Sequence, residues 1–346
     1  MFKWLFSSSS SGADIYVDLG TANTLIAVKN KGIVLNEPSQ VMVTETNLKK
    51  RKVLGIGDEG VKIAQNNPGH IITVKPVKDG VIADFDATKT MLSYFISKVV
   101  KKTSLSRPAV VVSLPYGVTE VEKKAVIEAC RSAGASRTYL IDEPMAAAIG
   151  AKLPIKEASG QMIIDIGGGT TEIAVIALAD IVYCEPLKIG GHRFDEVIVR
   201  YMKDSKKLVV TDEVAEKIKI ELGTALPTKN IISIEIDGRD LDTGFPRKQT
   251  VTSEEIGLAL ADSIQQIVHG ILNALEQTPP ELVSDIIGNG IVLAGGGALI
   301  KELPAKIEAE VRIPVRVADN PLTAIAVGGE KVLSDPDLLD KIQLEV

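Results

Sequence analysis

The sequence holds little of what disulfide frameworks and zinc sites are made from. Its two cysteines, Cys130 and Cys184, both have apolar neighbours, a pattern that favours buried free thiols in a reducing compartment over a disulfide framework. The three histidines, His70, His192 and His269, are scattered along the chain and lack the spacing of zinc ligands. The sequence therefore argues against a disulfide-stabilised secreted protein and against a zinc protein.

Long apolar runs and an excess of positive charge are absent too. No apolar run reaches the roughly 18 residues that a membrane-spanning helix requires. The net charge is −6, which argues against a dedicated nucleic-acid-binding protein, although a local basic patch is compatible with it. The 346 residues are 45% hydrophobic and 24% charged. This mixture is typical of globular proteins, and the length predicts about two domains.

The N-terminus has a composition unlike the rest of the chain. The stretch "MFKWLF" contains the only tryptophan and is followed by a serine-rich spacer. If this stretch is helical, Phe2, Leu5 and Phe6 share one face, and Trp4 suits the headgroup level of a bilayer. The pattern predicts that residues 1–12 are a membrane anchor and linker. The alternatives are a frayed tail or a strap that docks onto the protein itself. So short an anchor binds weakly and requires many copies acting together.

A glycine-rich stretch occurs twice in the sequence. "DLGTANTLIAV" (18–28) and "DIGGGTTEIAV" (165–175) are 147 residues apart (165 − 18 = 147) and share an initial aspartate, a glycine and a final Ile-Ala-Val. Each follows a short apolar run of strand length, and strands alternate with helices along both halves of the chain. This pattern predicts a duplicated α/β domain with largely parallel strand pairing and a cleft between the two copies.

Loops of this kind suit the phosphates of a nucleotide. Because glycine has no Cβ, successive N–H groups can face one concavity and bind a phosphate, and Thr170 and Thr171 add hydroxyl donors. Asp18 and Asp165 would repel a bare phosphate, but they suit Mg²⁺, which prefers oxygen ligands. One such loop alone is more often a tight hairpin. Two of them, with a third glycine turn in "LAGGGALI", predict a site for Mg–ATP.

Five stretches of the sequence resemble the nucleotide-site motifs of the actin, Hsp70 and sugar-kinase superfamily: "DLGTANT", "LIDEPMAAAIGA", "DIGGGTTEIAV", "GIVLAGGGALI" and "AIAVGGEKVL". Within it, "ANTLIAVKNKGIVLNEPS", "VKPVKDGVIADFDAT", "EPMAAAIGA" and "ALEQTPPELVSDI" are similar to the MreB family of bacterial actins. The resemblance extends from about Ile15 to Leu333.

The resemblance implies an actin-like α/β fold with two duplicated ribonuclease-H-like domains around a nucleotide cleft. Each domain would carry a smaller inserted subdomain. The implied bounds are 13–150 plus 322–346 for domain I, with its insertion at about 37–75, and 151–321 for domain II, with its insertion at about 190–253.

The resemblance also implies roles for particular residues. Glu143 and Thr170 would orient the attacking water, and Asp18 and Asp165 would lie at Mg²⁺, with Asp165 counted among the catalytic residues. The nucleotide-binding residues would be the first loop on the phosphates (Gly20, Thr21, Ala22, Asn23), the second loop on the β- and γ-phosphates (Gly167, Gly168, Gly169, Thr170), the ribose and adenine contacts (Glu216, Lys219) and the third loop on the adenosine (Gly295, Gly296, Gly297, Ala298).

Two of these assignments have ordinary structural alternatives. Glu143 is also suited to be the N-cap acid of the helix that follows it. Glu216 and Lys219 are three residues apart in a predicted helix, and pairs with this spacing are more often solvated salt bridges.

The sequence departs from the family pattern at two points. The family usually has an acid after the "IGG" turn, where this chain has His192, which puts the hydrolysis rate and its pH response in doubt more than binding. The family's membrane-inserting loop usually carries two adjacent bulky apolar residues, but "KKTSLSRP" offers only Leu105. Membrane anchoring would therefore depend mainly on Phe2, Trp4 and their apolar neighbours.

The function that these features predict is that of a cytoskeletal ATPase. It would bind ATP or ADP with Mg²⁺, polymerise into filaments at the inner face of the cytoplasmic membrane, and organise cell-wall synthesis with membrane proteins of the elongation complex, with no nucleic-acid partner. The alternative is a sugar or acetate kinase of the same superfamily, which would need a base for the substrate hydroxyl. An Hsp70-like chaperone would need a peptide-binding domain after the last motif near Leu333.

Overall fold

The computed structural model describes residues 14–44, 52–66, 71–100, 107–227 and 229–345. The predicted membrane residues (Phe2, Trp4, Leu5, Phe6 and Leu105) and His70 lie outside these ranges.

The chain forms two compact units. Unit 1 consists of Met1–Gly150 and Ile325–Val346, and unit 2 of Ala151–Ala324. The chain returns to unit 1 three residues later than the sequence predicts (325 − 322 = 3).

Unit 1 begins with strands and a small inserted sheet. Its elements up to Gly150 are β1 (Ile15–Leu19), β2 (Asn23–Val28), β3 (Gly32–Pro38), β4 (Val41–Thr44), β5 (Val53–Ile56), α1 (Gly57–Asn66), β6 (Ile71–Val74), β7 (Val77–Lys78), β8 (Val81–Ile82), α2 (Phe85–Val99), β9 (Ala109–Leu114), α3 (Glu120–Ser132), β10 (Arg137–Asp142) and α4 (Glu143–Gly150).

The main sheet of unit 1 has five strands in the order β10-β9-β1-β2-β3. β2 is antiparallel to both β1 and β3, whereas β9 is parallel to both β1 and β10. β1 is buried along its whole length. The apolar face of α2, with Met91, Leu92 and Phe95 fully buried, belongs to the same core. β4, β5 and β6 form a separate three-stranded sheet within residues 41–74.

Unit 2 repeats this plan. Its elements are β11 (Gln161–Ile166), β12 (Thr171–Ala177), β13 (Asp180–Leu187), α5 (Gly191–Lys206), β14 (Leu208–Val209), α6 (Asp212–Leu222), β15 (Ser233–Asp240), β16 (Pro246–Thr252), α7 (Ser253–Gln277), α8 (Pro280–Asn289), β17 (Ile291–Ala294), α9 (Leu303–Val311) and β18 (Val315–Val317), with short 3-10 helices at Gly296–Leu299 and Pro321–Thr323.

The five-stranded sheet of unit 2 has the order β13-β12-β11-β17-β18. Read from its other edge, the sheet of unit 1 is β3-β2-β1-β9-β10, so the two sheets match strand for strand. Two of its four strand pairs are antiparallel and two are parallel. The predicted largely parallel pairing is therefore wrong for half of each main sheet. The reason is that the first three strands of each unit are joined by short turns, and a parallel pair requires a long crossover. β14, β15 and β16 form a second small sheet within residues 208–252.

The two cysteines differ in their surroundings. Cys130 is fully buried on α3, as predicted, and burial raises the pKa of its thiol to about 12. Cys184 is only half-buried, because β13, on which it lies, is an edge strand with one neighbour. Neither cysteine forms a disulfide. The prediction of buried thiols is thus confirmed for Cys130 and wrong for Cys184.

The chain re-enters unit 1 through α10 (Ala324–Ser334) and ends with α11 (Pro336–Ile342). α10 crosses α4 at very short distance, because a Cβ on Gly328 would lie 1.8 Å from the carbonyl oxygen of Ala146. The next residue, Gly329, lies against the ring of the fully buried Tyr16, whose Cε2 would be 2.2 Å from a Cβ there. The two glycines allow α10 to hold α4 and β1 together.

Candidate functional site

The first loop lies where three parallel strands of unit 1 end. Asp18 on β1 is in register with Ser113 on β9, and β10 ends one residue beyond this level at Asp142. The next residue, Glu143, is the first of α4. Carboxyl ends of parallel strands meet at one edge of a sheet. The fold therefore brings Asp18, the first loop and Glu143 to the same edge, with both carboxyl side chains buried.

Side chains on the second strand and directly after the third strand hold the first loop in shape. The hydroxyl of Ser39 donates to the carbonyl of Gly20 at 2.6 Å and lies 2.9 Å from the hydroxyl of the fully buried Thr24. The backbone N–H of Ser39 donates to the carbonyl of Ala22 at 2.9 Å. A Cβ on Gly20 would lie 2.6 Å from the carbonyl oxygen of Asn23. The close turn of this loop therefore requires glycine at that position.

A second segment of unit 1 touches the first loop. The hydroxyl of Thr21 accepts a hydrogen bond from the backbone N–H of Gly80 at 3.1 Å. Gly80 has a positive φ of 78° and lies against Pro115, directly after β9. The oxygen of Thr21 is thus engaged as an acceptor, while its hydroxyl hydrogen remains a donor.

The second loop has the same construction in unit 2. The N–H of Gly167 donates to the carbonyl of Thr170 at 2.8 Å, which closes the turn. The hydroxyl of the buried Thr171 donates to the carbonyl of Ile189 at 2.6 Å. Thr171 corresponds to Thr24 of the first loop (24 + 147 = 171). In both units a buried threonine at the start of the second strand therefore anchors the loop to the segment after the third strand.

The N-terminus of α5 supports the second loop from one side. The N–H groups of Gly191 and His192 donate to the carbonyls of Gly167 and Gly168 at 2.9 and 2.8 Å. The C=O and N–H of a trans peptide point in opposite directions, so the N–H groups of Gly168 and Gly169 point away from α5. The loop therefore presents successive N–H groups on its other side, which fits a phosphate.

Glycine is also required beneath the second loop. A Cβ on Gly190 would lie 2.8 Å from the carbonyl oxygens of both Gly167 and Gly168. The "IGG" turn therefore serves a close backbone approach. The residue after it, His192, contributes its backbone N–H to the loop, and the role of its side chain in hydrolysis stays a prediction.

Asp165 is a buried carboxylate with spare acceptor capacity. It is 4% exposed, and its Oδ1 has no hydrogen-bond partner among the described residues. Burial raises the pKa of Asp165 to about 7. An unpartnered buried carboxylate oxygen fits a hard divalent cation such as Mg²⁺. The described residues contain no group of three potential metal-ligating side chains, so most ligands of such an ion would have to be water and phosphate oxygens, as is usual for Mg²⁺.

The surroundings of the two aspartates differ in one respect. Asp165 is directly opposite Glu172 on β12, which is 1% exposed, and side chains at paired positions of neighbouring strands lie on the same face of the sheet. Asp18 has Leu25 in the equivalent place. The second loop therefore has a second buried carboxylate beside it. Sequence reasoning missed Glu172, although a single charged residue in the otherwise apolar run "TEIAVIA" was a signal.

The pKa of Asp165 gives an expected pH dependence of stability. Its pKa is higher in the folded state (about 7) than the ordinary 3.8, so between these values the folded state binds more protons than the unfolded state. Without metal and nucleotide, the wild type should therefore lose stability as pH rises from about 5 to about 8. Asp165→Asn removes this dependence.

The melting temperatures of wild type and Asp165→Asn, measured in EDTA across that range, check this expectation. The difference between them should shift by about 5 °C in favour of the variant as pH rises. A pH-independent difference would show that Asp165 is ionised throughout.

The third loop follows β17, the parallel neighbour of β11. Gly295 has a positive φ of 78°, and a Cβ there would lie 2.3 Å from the carbonyl oxygen of Ile166 and 2.8 Å from Oδ1 of Asp165. A Cβ on Gly297 would lie 2.2 Å from Cγ2 of Ile166. Gly295, Gly297 and Ala298 are buried, whereas Gly296 is exposed. The structure thus places the third loop directly against the strand that leads into the second loop.

Lys219 on α6 makes a contact that the sequence did not indicate. Its Nζ lies 2.8 Å from Oδ1 of Asp195, donates to Oδ2 at 3.0 Å, and donates to the carbonyl of Gly191 at 3.2 Å. The Lys219 and Asp195 side chains are only 14% and 10% exposed, whereas Glu216 is exposed. The alternative of a solvated pair between Glu216 and Lys219 is therefore wrong for Lys219. Burial raises the pKa of Asp195, and the charge and hydrogen bond of Lys219 oppose that shift.

Two sheets of identical strand order, each with a glycine loop beside a buried aspartate, define an actin-like protein. Two crystal structures of MreB 5 of Spiroplasma citri have this fold. One is bound to AMPPNP, with a TM-score of 0.89 and 32% identity over 96% of this chain and 98% of that chain. The other is bound to ADP, with a TM-score of 0.88 and 33% identity over 96% of this chain and 99% of that chain.

The particular family follows from the sequence comparisons. The MreB/Mbl protein family matches residues 12–341. The chain is 47% identical over 340 residues to the cell shape-determining protein MreB of Escherichia coli (strain K12), covering 97% of this chain and 96% of that protein. It is 45% identical over 331 residues to the cell shape-determining protein Mbl of Bacillus subtilis (strain 168), covering 96% and 98%. The chain belongs to the MreB/Mbl family.

Among the described residues, none of the helices is both long enough and apolar enough to cross a bilayer.

Proposed function

We propose that this chain binds ATP and ADP with Mg²⁺ and hydrolyses ATP. The observation that carries the proposal is the duplicated loop construction, in which a buried aspartate precedes a glycine turn, together with the outward N–H groups of the second loop, which suit phosphate. The unpartnered Oδ1 of Asp165 supports a cation at the second loop. The crystal structures of MreB 5 with AMPPNP and ADP support the same class of ligand.

The residues of this chain take the following roles in the proposal. The first loop (Gly20, Thr21, Ala22, Asn23) and the second loop (Gly167, Gly168, Gly169, Thr170) bind phosphates through backbone N–H groups, and the third loop (Gly295, Gly296, Gly297, Ala298) and Glu216 border the nucleoside. Glu143 and Thr170 orient the attacking water. Asp18 and Asp165 hold Mg²⁺, which when bound neutralises charge on the phosphates. Positioning and charge stabilisation are most of what phosphoryl transfer to water requires.

We further propose that the chain polymerises with itself and determines cell shape. The names of the E. coli and B. subtilis relatives support the cell-shape role. Copies arranged head to tail would form a filament, and a filament would multiply weak membrane contacts of Phe2, Trp4, Leu5, Phe6 and Leu105. The proposed location is the inner face of the cytoplasmic membrane, and the proposed partners are membrane proteins of the cell-wall elongation complex.

Purified protein with ATP and Mg²⁺ is expected to sediment as polymer at high speed, and to remain in the supernatant with EDTA. Addition of anionic liposomes should increase the pelleted fraction. Electron microscopy of the pellet distinguishes filaments from aggregates. An amorphous pellet would overturn the filament proposal. ATP turnover only when a sugar or acetate is added would overturn it in favour of a small-molecule kinase.

A further inference from the structure

A chain of contacts in unit 2 connects the second loop to α6. Lys219, near the end of α6, forms a buried ion pair with Asp195 and donates to the carbonyl of Gly191 at 3.2 Å. Gly191 is the first residue of α5, and its N–H donates to the carbonyl of Gly167 at 2.9 Å. Lys219 therefore contacts the same residue that supports the second loop.

The ion pair fixes α5 close to its N-terminus. Asp195 lies one turn along α5 from Gly191, so Lys219 binds α5 at two points on the same side. The ammonium group has three N–H donors, and the hydrogen bonds to Asp195 Oδ2 and to Gly191 use two of them. At most one donor remains for a nucleotide. Most of the bonding capacity of Lys219 is spent within the protein.

The segment that Lys219 holds has little freedom to adjust. A Cβ on Gly190 would already lie 2.8 Å from two carbonyl oxygens of the second loop, so α5 and the loop are in direct backbone contact. A shift of the α5 N-terminus would move the N–H groups of Gly191 and His192. The carbonyls of Gly167 and Gly168 that they hold would move with them, and so would the adjacent N–H groups that suit phosphate.

We propose that Lys219 and Asp195 are positioning residues for the second loop: their ion pair holds the N-terminus of α5 against the loop and so sets the geometry of phosphate binding. The inference rests on the proposed function, since it assumes that the second loop binds the β- and γ-phosphates. It assigns a role to Asp195, and it replaces the expected role of Lys219, contact with the ribose or adenine, by support of the second loop.

The test compares three ligands that differ only in their phosphates: adenosine, ADP and AMPPNP, each with Mg²⁺, by calorimetry on the full chain. In Lys219→Met the affinity for AMPPNP should fall about tenfold, that for ADP less, and that for adenosine should stay within about twofold. In Asp195→Asn the loss of affinity should again be largest for AMPPNP and smallest for adenosine, although Asp195 is assigned no contact with any nucleotide. Lys217→Met is the matched control, because Lys217 is on the same helix with a 60% exposed side chain and a weak ion pair to Glu221 at 3.9 Å.

The outcomes separate the inference from the proposed function. If Lys219→Met lowers the affinity for all three ligands by the same factor and Asp195→Asn lowers none of them, Lys219 contacts the ribose or adenine and the inference is wrong. If both variants melt earlier but bind all ligands as the wild type does, the ion pair is structural only, which also overturns it. If Lys219→Met does not fold, Asp195→Asn, which keeps a side-chain oxygen for Lys219, decides alone. A wild type that binds none of the three ligands would instead refute the proposed function.

Discussion

Replacement of Glu143 by alanine is expected to lower the rate of phosphate release about 100-fold, while the affinity for ATP stays within about twofold. The reason lies in where the fold puts this carboxylate. Glu143 is buried at the beginning of α4, directly after β10, at the edge of the sheet that carries the first loop. A carboxylate there can accept a hydrogen bond from water, but it would repel phosphate and so contributes little to binding.

The measurement is steady-state phosphate release together with calorimetric ATP binding. Glu143→Gln should show nearly the same loss of turnover with a smaller effect on folding, because the amide keeps the size of the side chain. Glu128→Gln is the matched control, since Glu128 is an exposed residue of unit 1 whose contacts, with Arg131 and Ser132, lie on its own helix. Unchanged turnover in both Glu143 variants would remove this residue from the mechanism.

Melting temperatures resolve the alternative role of Glu143. Because Glu143 lies in the first turn of α4, its negative charge also interacts favourably with the helix dipole, which contributes about 0.3–1 kcal/mol to the free energy of unfolding. A loss of stability without a loss of turnover would show that the helix-start role is the only one.

Much of the fold was accessible from sequence because local signals agreed with one another. Thr119 and Glu122 have the spacing of a capping box, and α3 begins with that pair of reciprocal hydrogen bonds. Gly134, with a φ of 104°, follows the end of the same helix. The 147-residue repeat indicated two equivalent sheets, and their strand orders match. The capping box and the glycine depend only on residues close together in the chain, and the repeat on a comparison of two segments, so the sequence alone contains these signals.

Strand direction was harder to predict because it depends on connections as well as on the strands. β2 and β12 each end in an apolar run, residues 25–28 and 173–177, of the kind that is usual in parallel strands. They are nevertheless antiparallel to both neighbours, and they are buried because they lie inside each sheet. The alternation of strands with helices, from which parallel pairing was predicted, begins only after the first three strands of each unit.

The site was predictable where a motif contained the residue and unpredictable where packing supplied it. Asp18 and Asp165 each lie two residues before the first glycine of their own loop, so the proximity of each aspartate to its own turn followed from the motif. Asp195 and Lys219 are 24 residues apart on different helices, and only the packing of α5 on α6 makes them partners. A helix-spacing rule relates Lys219 to residues on its own helix, which is why Glu216 was considered and Asp195 was not.

Gly328→Ala is expected to destabilise the protein by about 3 kcal/mol and to lower its melting temperature by about 10 °C. The new Cβ would lie 1.8 Å from the carbonyl oxygen of Ala146 and 2.9 Å from the backbone N of Gly150. Both atoms belong to the backbone of α4, so no side-chain rotation relieves the clash, and α10 and α4 must move apart. Glu143 begins α4, so phosphate release should fall as well.

Gly288→Ala is the matched control for this prediction. Gly288 is also in a helix, α8, but a Cβ there would meet nothing within 4 Å. In open space the same substitution removes the conformational cost of glycine and should stabilise the protein by about 0.5–1 kcal/mol. The two variants therefore differ in sign although the chemical change is identical. Thermal unfolding followed by circular dichroism measures both, and equal melting temperatures would show that the close crossing of α10 and α4 does not exist in solution.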